Sequence, residues 1–201
     1  MTLFHPKKAA GELDSSQNKK LYGIAAFLLV LILYNFTTFL CWLQNVPPSW
    51  TPVIPISPDQ YYFYQLFFGI PIGLLSWTIF TLISYSFIKN RNMKLNFKEA
   101  MFILSFPFFI PMLPLMWTTE TTLILFFPHL WASDPYLYLA PSIAATFEIY
   151  GYVYLILTTC WALFSATVYI KFLSKQSFRK SLAISSCAYF PALTLMILFI
   201  R

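Results

Sequence analysis

The chain has 201 residues, of which 59% are hydrophobic and 20% aromatic, while only 10% are charged. Soluble domains are typically about 25% charged, so this composition excludes an ordinary soluble domain and predicts an all-α integral membrane protein. The net charge of +6 does not indicate nucleic-acid binding, because the basic residues form three short groups between apolar runs instead of one face.

The apolar runs predict a polytopic membrane helical bundle that crosses the bilayer about five times. A helix needs about 20 largely apolar residues to cross the hydrocarbon, and the runs lack the strict alternation of membrane strands. A short cytoplasmic N-terminal tail, polar and poor in helix signals, precedes a single transmembrane domain. The tail covers residues 1–20 and the domain residues 21–201, with spans at about 21–44, 61–88, 99–117, 145–170 and 181–200.

The distribution of Lys and Arg predicts the orientation of these spans. In a five-span arrangement every Lys and Arg except Arg201 falls on one side, and the other side carries Asp59, Glu120, Asp134 and Glu148. The positive-inside rule therefore predicts a cytoplasmic N-terminus and an outside C-terminus. We expect the two basic loops to lie on anionic lipid headgroups, with a docking surface for a protein partner as the alternative. Their basic residues are Lys89, Arg91, Lys94, Lys98, Lys171, Lys175, Arg179 and Lys180.

The third predicted span contains Pro107, Pro111 and Pro114. Each proline removes a helix hydrogen bond and crowds the carbonyl one turn earlier. At about 100° per residue the three prolines would share one face of a continuous helix. Two interpretations remain open: a kinked, closely packed helix, or a broken helix that lines a binding cavity or transport path, as in transporters.

Small and polar residues mark two further positions for helix packing. Gly69 and Gly73 lie four residues apart in the second span, with Pro71 between them. This GxxxG pattern predicts a close approach of two helices, either inside one chain or in a dimer. Asn35 lies near the middle of the first span, where we expect its amide to hydrogen-bond to another helix.

The residues with metal-ligand chemistry lie on the predicted outer side and are Glu120, His129, Asp134 and Glu148. Carboxylates together with a histidine can bind zinc or another divalent ion. Their spacing matches no metal signature, so we predict neither a metal nor a cofactor. Glu148 is a functional candidate if the fourth helix carries it into the hydrocarbon, where ionisable residues are rare. A later helix start would place it among the headgroups.

Motifs for catalysis are missing from the sequence. There is no GxSxG, no HExxH, no CxxC and no glycine-rich phosphate loop. With five glycines in the whole chain, a nucleotide cradle is not expected. We therefore predict that the protein is not an enzyme.

Three segments together resemble a known family. Phe97–Ala100 (FKEA) leads from a basic loop into the proline-containing third span. Tyr154–Trp161 (YLILTTCW) lies in the fourth span and is followed by a basic loop with Ser177–Ala183 (SFRKSLA). Together with the five-span arrangement, these segments resemble the Yip (Ypt-interacting protein) domain family of small five-span membrane proteins, over residues 60–201.

The resemblance implies different roles in different cells. Eukaryotic members of that family lie in secretory-pathway membranes and associate with Rab-type GTPases and with one another, while prokaryotic members are mostly of unknown role. The predicted N-terminal tail of about 20 residues is short for GTPase contact, which favours a prokaryotic member in the cytoplasmic (inner) membrane. The resemblance implies no catalytic residue.

Three functions remain open at this point. The first is a non-enzymatic protein that organises a membrane by lateral association with itself or with other integral membrane proteins. The second is an accessory subunit of a larger respiratory, transport or secretion complex. The third is a small transporter or channel that works through the proline-broken third helix.

Overall fold

The computed structural model describes residues 5–45, 56–57, 60–88, 95–113, 118–126 and 141–200. These described residues form helices and turns and no strand, which confirms the predicted all-α class. The helices are α1 (Pro6–Ser15), α2 (Lys19–Leu43), α3 (Tyr61–Ile88), α4 (Phe97–Phe109), α5 (Thr118–Phe126), α6 (Pro141–Ser174) and α7 (Phe178–Ile200).

Three of the described helices are long and apolar enough to cross a membrane, namely α2, α3 and the Val153–Ser174 part of α6. Such helices are compatible with an integral membrane protein. The bounds of α3 coincide with the predicted span, and those of α2 differ from it by no more than two residues. α7 begins three residues before the predicted start at residue 181.

Local backbone chemistry explains where two of these helices end and begin. α2 ends before Asn45, which has a left-handed φ of 51° and whose N–H donates to the carbonyl of Trp42 at 3.2 Å. Asparagine tolerates this conformation better than most residues do. α6 begins at Pro141, before the predicted start at residue 145, because a proline at the first helical position needs no N–H partner.

The N-terminal segment forms a helix where the sequence predicts a helix-poor tail, and that expectation is wrong. The buried face of α1 consists of Ala9, Ala10 and Leu13, and the helix packs against α6 and α4. The ring of Phe172 lies 3.7 Å from the point that a Cβ would occupy at Gly11. An isolated helix of ten residues is marginal in water, so docking on the bundle is what stabilises α1.

The proline-rich third span is not one continuous helix. α4 ends at Phe109, before the predicted end at residue 117, and the next described helix is α5. Pro114 has no N–H to donate to the carbonyl of Ile110 one turn earlier. That carbonyl instead accepts a hydrogen bond from the N–H of Leu113 at 3.2 Å, which makes a tighter turn than an α-helix.

Contacts between helices give the bundle two distinct ends. At one end, Lys19 of α2 lies 3.9 Å from Glu99 of α4, and Lys171 of α6 lies over an aromatic ring of α7. We call this the basic end; α1, which directly precedes α2, packs there on both α4 and α6. At the far end of α2, the rings of Trp42 and Phe63 of α3 have centroids 5.7 Å apart. We call this the aromatic end.

Aromatic side chains fill the core between the two ends. Phe80 of α3 stacks on Phe108 of α4 with ring centroids 4.9 Å apart, and Tyr189 of α7 meets Phe108 edge-on at 6.0 Å. All three side chains are buried. Small buried residues of α7, among them Ser185 and Ala188, let that helix approach its neighbours closely.

Candidate functional site

Polar side chains of α2 meet two other helices inside the aromatic half of the bundle. The hydroxyl of Tyr34 in α2 donates a hydrogen bond to Oε1 of Gln65 in α3, and both side chains are buried. One turn further along α2, the hydroxyls of Thr37 and Thr121 of α5 share a hydrogen bond. We call these four residues the polar cluster. It connects α2 to α3 and to α5.

Two neighbouring threonines of α2 also bond within their own helix. The hydroxyl of Thr37, besides its bond with Thr121, lies 2.9 Å from the carbonyl oxygen of Leu33. The next residue, Thr38, donates to the carbonyl of Tyr34 at 2.9 Å, within its own helix. The side chains of Thr37 and Thr38 are equally buried. Of the two, only Thr37 bonds to α5.

The two glycines of the GxxxG pattern let α2 and α3 approach each other. A Cβ at Gly69 would overlap the ring of Tyr34, and a Cβ at Gly73 would lie 3.5 Å from the ring of Phe27. Both glycines therefore face α2 of the same chain. Gln65 lies one helical turn before Gly69, so the ring of Tyr34 crosses α3 at the glycine and its hydroxyl reaches the amide.

The predicted kink residues lie in different surroundings. Pro71 lies inside α3 with an exposed side chain, whereas Pro107 is buried inside α4. Pro111 is buried in the turn that follows α4, and Pro114 lies outside the described residues. Because α4 ends at Phe109, Pro111 and Pro114 follow this helix and do not share a face of it with Pro107.

Asn35 lies next to Tyr34 in the middle of α2. Its Oδ1 atom is buried and has no hydrogen-bond partner within the part of the chain that the structure describes. The expected bond from this amide to another helix therefore stays a prediction.

The candidate metal ligands are distributed over three segments. His129 and Asp134 lie outside the described residues. Glu120 belongs to α5 and Glu148 to α6, where the structure describes the backbone of both residues. Within the described ranges, no group of three or more His, Cys, Asp or Glu side chains could hold a metal ion.

The basic end brings together cations that are far apart in the sequence. Lys98 lies in the first turn of α4, next in sequence to Glu99, which pairs with Lys19, while α6 and α7 contribute a second group. That second group consists of four exposed residues, Lys171, Lys175, Arg179 and Lys180. The remaining predicted contact residues, Lys89, Arg91 and Lys94, lie outside the described part of the chain.

Exposed aromatic side chains form a continuous surface on the outside of α2 and α3. Ring centroids are 6.0 Å apart for Phe39 and Trp42, 5.7 Å for Trp42 and Phe63, and 5.3 Å for Phe63 and Phe67. All four side chains are exposed, and Phe67 is exposed the most, at 63%. We call these four residues the aromatic surface.

The polar cluster was not predicted from the sequence, although one member was detectable. Gln65 is the only amide side chain in α3, and a lone amide in an apolar helix is expected to bond to a neighbouring helix. Tyr34, Thr37 and Thr121 had no comparable signal, because a hydroxyl in a helix can also bond within its own helix.

No protein-family model, curated protein or solved structure matches the chain. The resemblance to the Yip domain family therefore stays a prediction.

Proposed function

We propose that the chain is an integral membrane protein that crosses the bilayer five times, with its N-terminus in the cytoplasm and its C-terminus outside. The five crossings are α2, α3, the pair α4–α5, α6 and α7. Support comes from the basic end, where helix packing gathers Lys19, Lys98, Lys171 and Arg179 from three separate parts of the chain. The positive-inside rule assigns such an end to the cytoplasm.

The third crossing in this proposal consists of two short helices. α4 has 13 residues, which span about 20 Å, and the hydrocarbon is about 30 Å thick. α4 meets α2 at Gly23, near the basic end, whereas α5 meets it at Thr37 and Cys41, near the aromatic end. The pair therefore accompanies α2 along most of its length, as a broken helix.

Helix geometry supports a headgroup position for Glu148. Lys171 lies in the last turn of α6, at the basic end, and Glu148 precedes it by 23 residues in the same helix. At 1.5 Å per residue this is about 34 Å, which exceeds the roughly 30 Å of hydrocarbon. With Lys171 at the cytoplasmic headgroups, Glu148 therefore reaches the outer ones.

The function we propose within this topology is lateral association without catalysis, in a prokaryotic cytoplasmic (inner) membrane. The protein would organise a membrane or a complex by binding a second copy of itself or another integral membrane protein. The aromatic surface is the observation that carries this proposal. Its rings hold one another in place, so a partner helix can pack on them at a low cost in side-chain entropy, and packing is what drives association in lipid.

Photo-crosslinking in native membranes tests lateral association directly. We would replace Phe67 with a photoreactive phenylalanine and, as a matched control, do the same at Ile156 of α6. These positions are equally exposed, at 63% and 60%, but Ile156 lies outside the aromatic surface. We expect a defined protein adduct from position 67 and mainly lipid adducts from position 156. Lipid adducts alone at both positions would contradict the proposal.

The identity of the partner distinguishes a stand-alone organising protein from an accessory subunit of a larger complex. The native mass of the protein after purification in gentle detergent, with identification of co-purifying chains, distinguishes these two functions. A homo-oligomer favours a stand-alone organising protein. A fixed, stoichiometric set of other membrane proteins would instead identify a subunit of that complex.

A transporter or channel is the second candidate, and the break between α4 and α5 favours it. Broken helices in transporters expose backbone groups that bind substrate, and here the polar cluster lies against α5. Glu148→Gln and Gln65→Leu test this role in cells that need the protein. Unchanged physiology with both variants would contradict transport, whereas loss with normal protein levels would support it.

A further inference from the structure

The connection between α6 and α7 concentrates four cations in a small volume. α6 ends at Ser174 and α7 begins at Phe178, so only residues 175–177 separate the two helices. Two cations lie in the last turn of α6 and directly after it, and two lie in the first turn of α7. They are Lys171, Lys175, Arg179 and Lys180, all of them exposed, and we call them the α6–α7 basic cluster.

The acidic residues that could neutralise this cluster are few, and two of the three at this end lie beside other lysines. The sequence contains no Asp or Glu after Glu148. Of the helices that pack on α6 at this end, α1 carries Glu12 and Asp14, and α4 carries Glu99. Glu12 lies 3.9 Å from Lys8, and Glu99 lies 3.9 Å from Lys19. The positive charge of the cluster is therefore largely unbalanced within the described residues.

Helix electrostatics make the absence of a counter-charge more costly. The first turn of α7 contains Arg179 and Lys180 and no acidic residue. The N-terminus of a helix carries a partial positive charge, so it attracts anions and disfavours cations. Two cations at this position, with two more one connection away, repel one another and the helix terminus. A phosphate group would reverse this balance, because it accepts hydrogen bonds from helix N–H groups and from Lys and Arg.

Two contacts hold the cluster in place. The Nζ atom of Lys171 lies 6.0 Å from the ring centroid of Phe178, a cation–π contact that joins the two helices. Lys175 has a left-handed φ of 55°, a conformation that few residues other than glycine and asparagine adopt. Its N–H donates to the carbonyl of Lys171 at 3.0 Å. The backbone is thus bent at a lysine, at the point where the two pairs of cations meet.

We propose that the α6–α7 basic cluster binds the phosphate of an anionic lipid headgroup in the leaflet at the basic end. The occupant is a lipid because the cluster lies at the ends of two long apolar helices, where headgroups are the abundant anions. The exposed ring of Phe178 gives this site an apolar border on which the lipid can rest. The inference depends on the membrane crossing proposed above, and it is independent of lateral association.

The test measures lipid selectivity of the full chain in phosphatidylcholine bilayers. Spin-labelled phosphatidic acid and spin-labelled phosphatidylcholine report the ratio of their association constants with the protein. A near-surface Lys or Arg contributes about 1 kcal/mol, which corresponds to a ratio of about five. We therefore expect the native protein, with four such residues, to show a ratio of about five or more. Neutralising the cluster with Lys171→Gln, Lys175→Gln, Arg179→Gln and Lys180→Gln should lower the ratio to about one.

The matched control removes the same charge elsewhere at the basic end. Lys7→Gln, Lys8→Gln, Lys19→Gln and Lys20→Gln should leave most of the preference for phosphatidic acid. Equal losses in the two variants, or no preference in the native protein, would overturn the site. The single variant Lys175→Gln serves if the fourfold variant does not fold, and we expect a clear decrease in the ratio from it.

Two further arms separate the possible failures. Inorganic phosphate should not displace the labelled phosphatidic acid; if it does, the cluster is a site for soluble anions and the lipid proposal is wrong. Retention of the protein in the bilayer after an alkaline carbonate wash tests the membrane crossing itself. Release by that wash would overturn the crossing, whereas retained protein without lipid preference would overturn only the lipid site.

Discussion

The two halves of α2 pack on their neighbours in different ways. Near the basic end, a Cβ at Gly23 would lie 2.7 Å from the carbonyl oxygen and 2.8 Å from the Cα of Phe102, so the backbones of α2 and α4 are in direct contact. Near the aromatic end, α2 meets α3 and α5 through side chains that rotate, Tyr34 over Gly69 and Thr37 on Thr121. Backbone shape fixes the first interface, and hydrogen-bonded side chains fix the second.

This difference indicates how each half responds to change. Two helix backbones can yield only if the helices separate, and separation loses packing along the whole interface. A side chain can adopt another rotamer and sacrifice one hydrogen bond. The basic end should therefore be sensitive to added volume, and the aromatic end to the loss of polar groups.

Gly23→Ala should have the largest effect. The new Cβ cannot fit beside the backbone of Phe102, so α2 and α4 must move apart. Overpacking of this kind typically costs 1–3 kcal/mol, and we expect about 2 kcal/mol of the free energy of unfolding. Reversible unfolding in mixed detergent micelles measures it. Gly73→Ala is the matched control, because its Cβ would lie 3.5 Å from the ring of Phe27, an ordinary contact distance.

Gly69→Ala should have an intermediate effect. Its Cβ would overlap the ring of Tyr34, but this ring can rotate away at the expense of its hydrogen bond to Gln65. We expect a loss of about 1 kcal/mol, near that of an interhelical hydrogen bond. Adding Tyr34→Phe should then cost little more, because the bond is already broken. Full additivity of the two substitutions would contradict this explanation.

Lys175→Gly should stabilise the fold at the basic end. Glycine adopts the left-handed conformation without the steric cost that lysine has there, and we expect a gain of about 1 kcal/mol. The same variant should bind anionic lipid less well than the native protein. Higher stability with lower lipid selectivity would show that lysine is kept at this bend for binding. A loss of stability would show that the left-handed backbone is not costly at this position.

A pair of threonine variants should show the smallest difference. Thr37→Val removes a hydroxyl that bonds to α5, whereas Thr38→Val removes one that bonds only to its own helix carbonyl among the contacts described above. Both side chains are buried, and each substitution replaces a hydroxyl by a methyl group of similar size, so the change in packing is comparable. We expect Thr37→Val to cost about 0.6 kcal/mol more in unfolding free energy. Equal costs would show that the bond to α5 adds nothing.

Sequence patterns predicted the helical class and the bounds of α3 because long apolar runs have few alternatives. They also predicted that prolines disturb the third span, and α4 ends at Phe109. They did not predict α1. Its buried face consists of two alanines and one leucine, which are too few to give a recognisable apolar periodicity. Its helical form depends on contacts with α4 and α6, which lie far away in the sequence.

The packing positions were predictable only in part. The GxxxG pattern identified Gly69 and Gly73, and both face α2. Gly23 lacks a glycine partner at that spacing, so nothing in the sequence indicated that it makes the tightest backbone contact described here. Gln65 could have been recognised from the sequence as the only amide in the apolar helix α3. The bond between Thr37 and Thr121 could be predicted only by knowing that α2 and α5 are neighbours.

The docking of α1 on α6 has a consequence for the order of events during synthesis. Gly11 and Phe172 are 161 residues apart in the sequence, and ribosomes add about 5–20 residues per second. Gly11 is therefore added about 8–30 s before Phe172, its partner in α6. The three small apolar side chains of α1 expose little surface in that interval. A chain that stops short of α6 leaves α1 only its smaller contact with α4, so the contact between α1 and α6 is among the last to form.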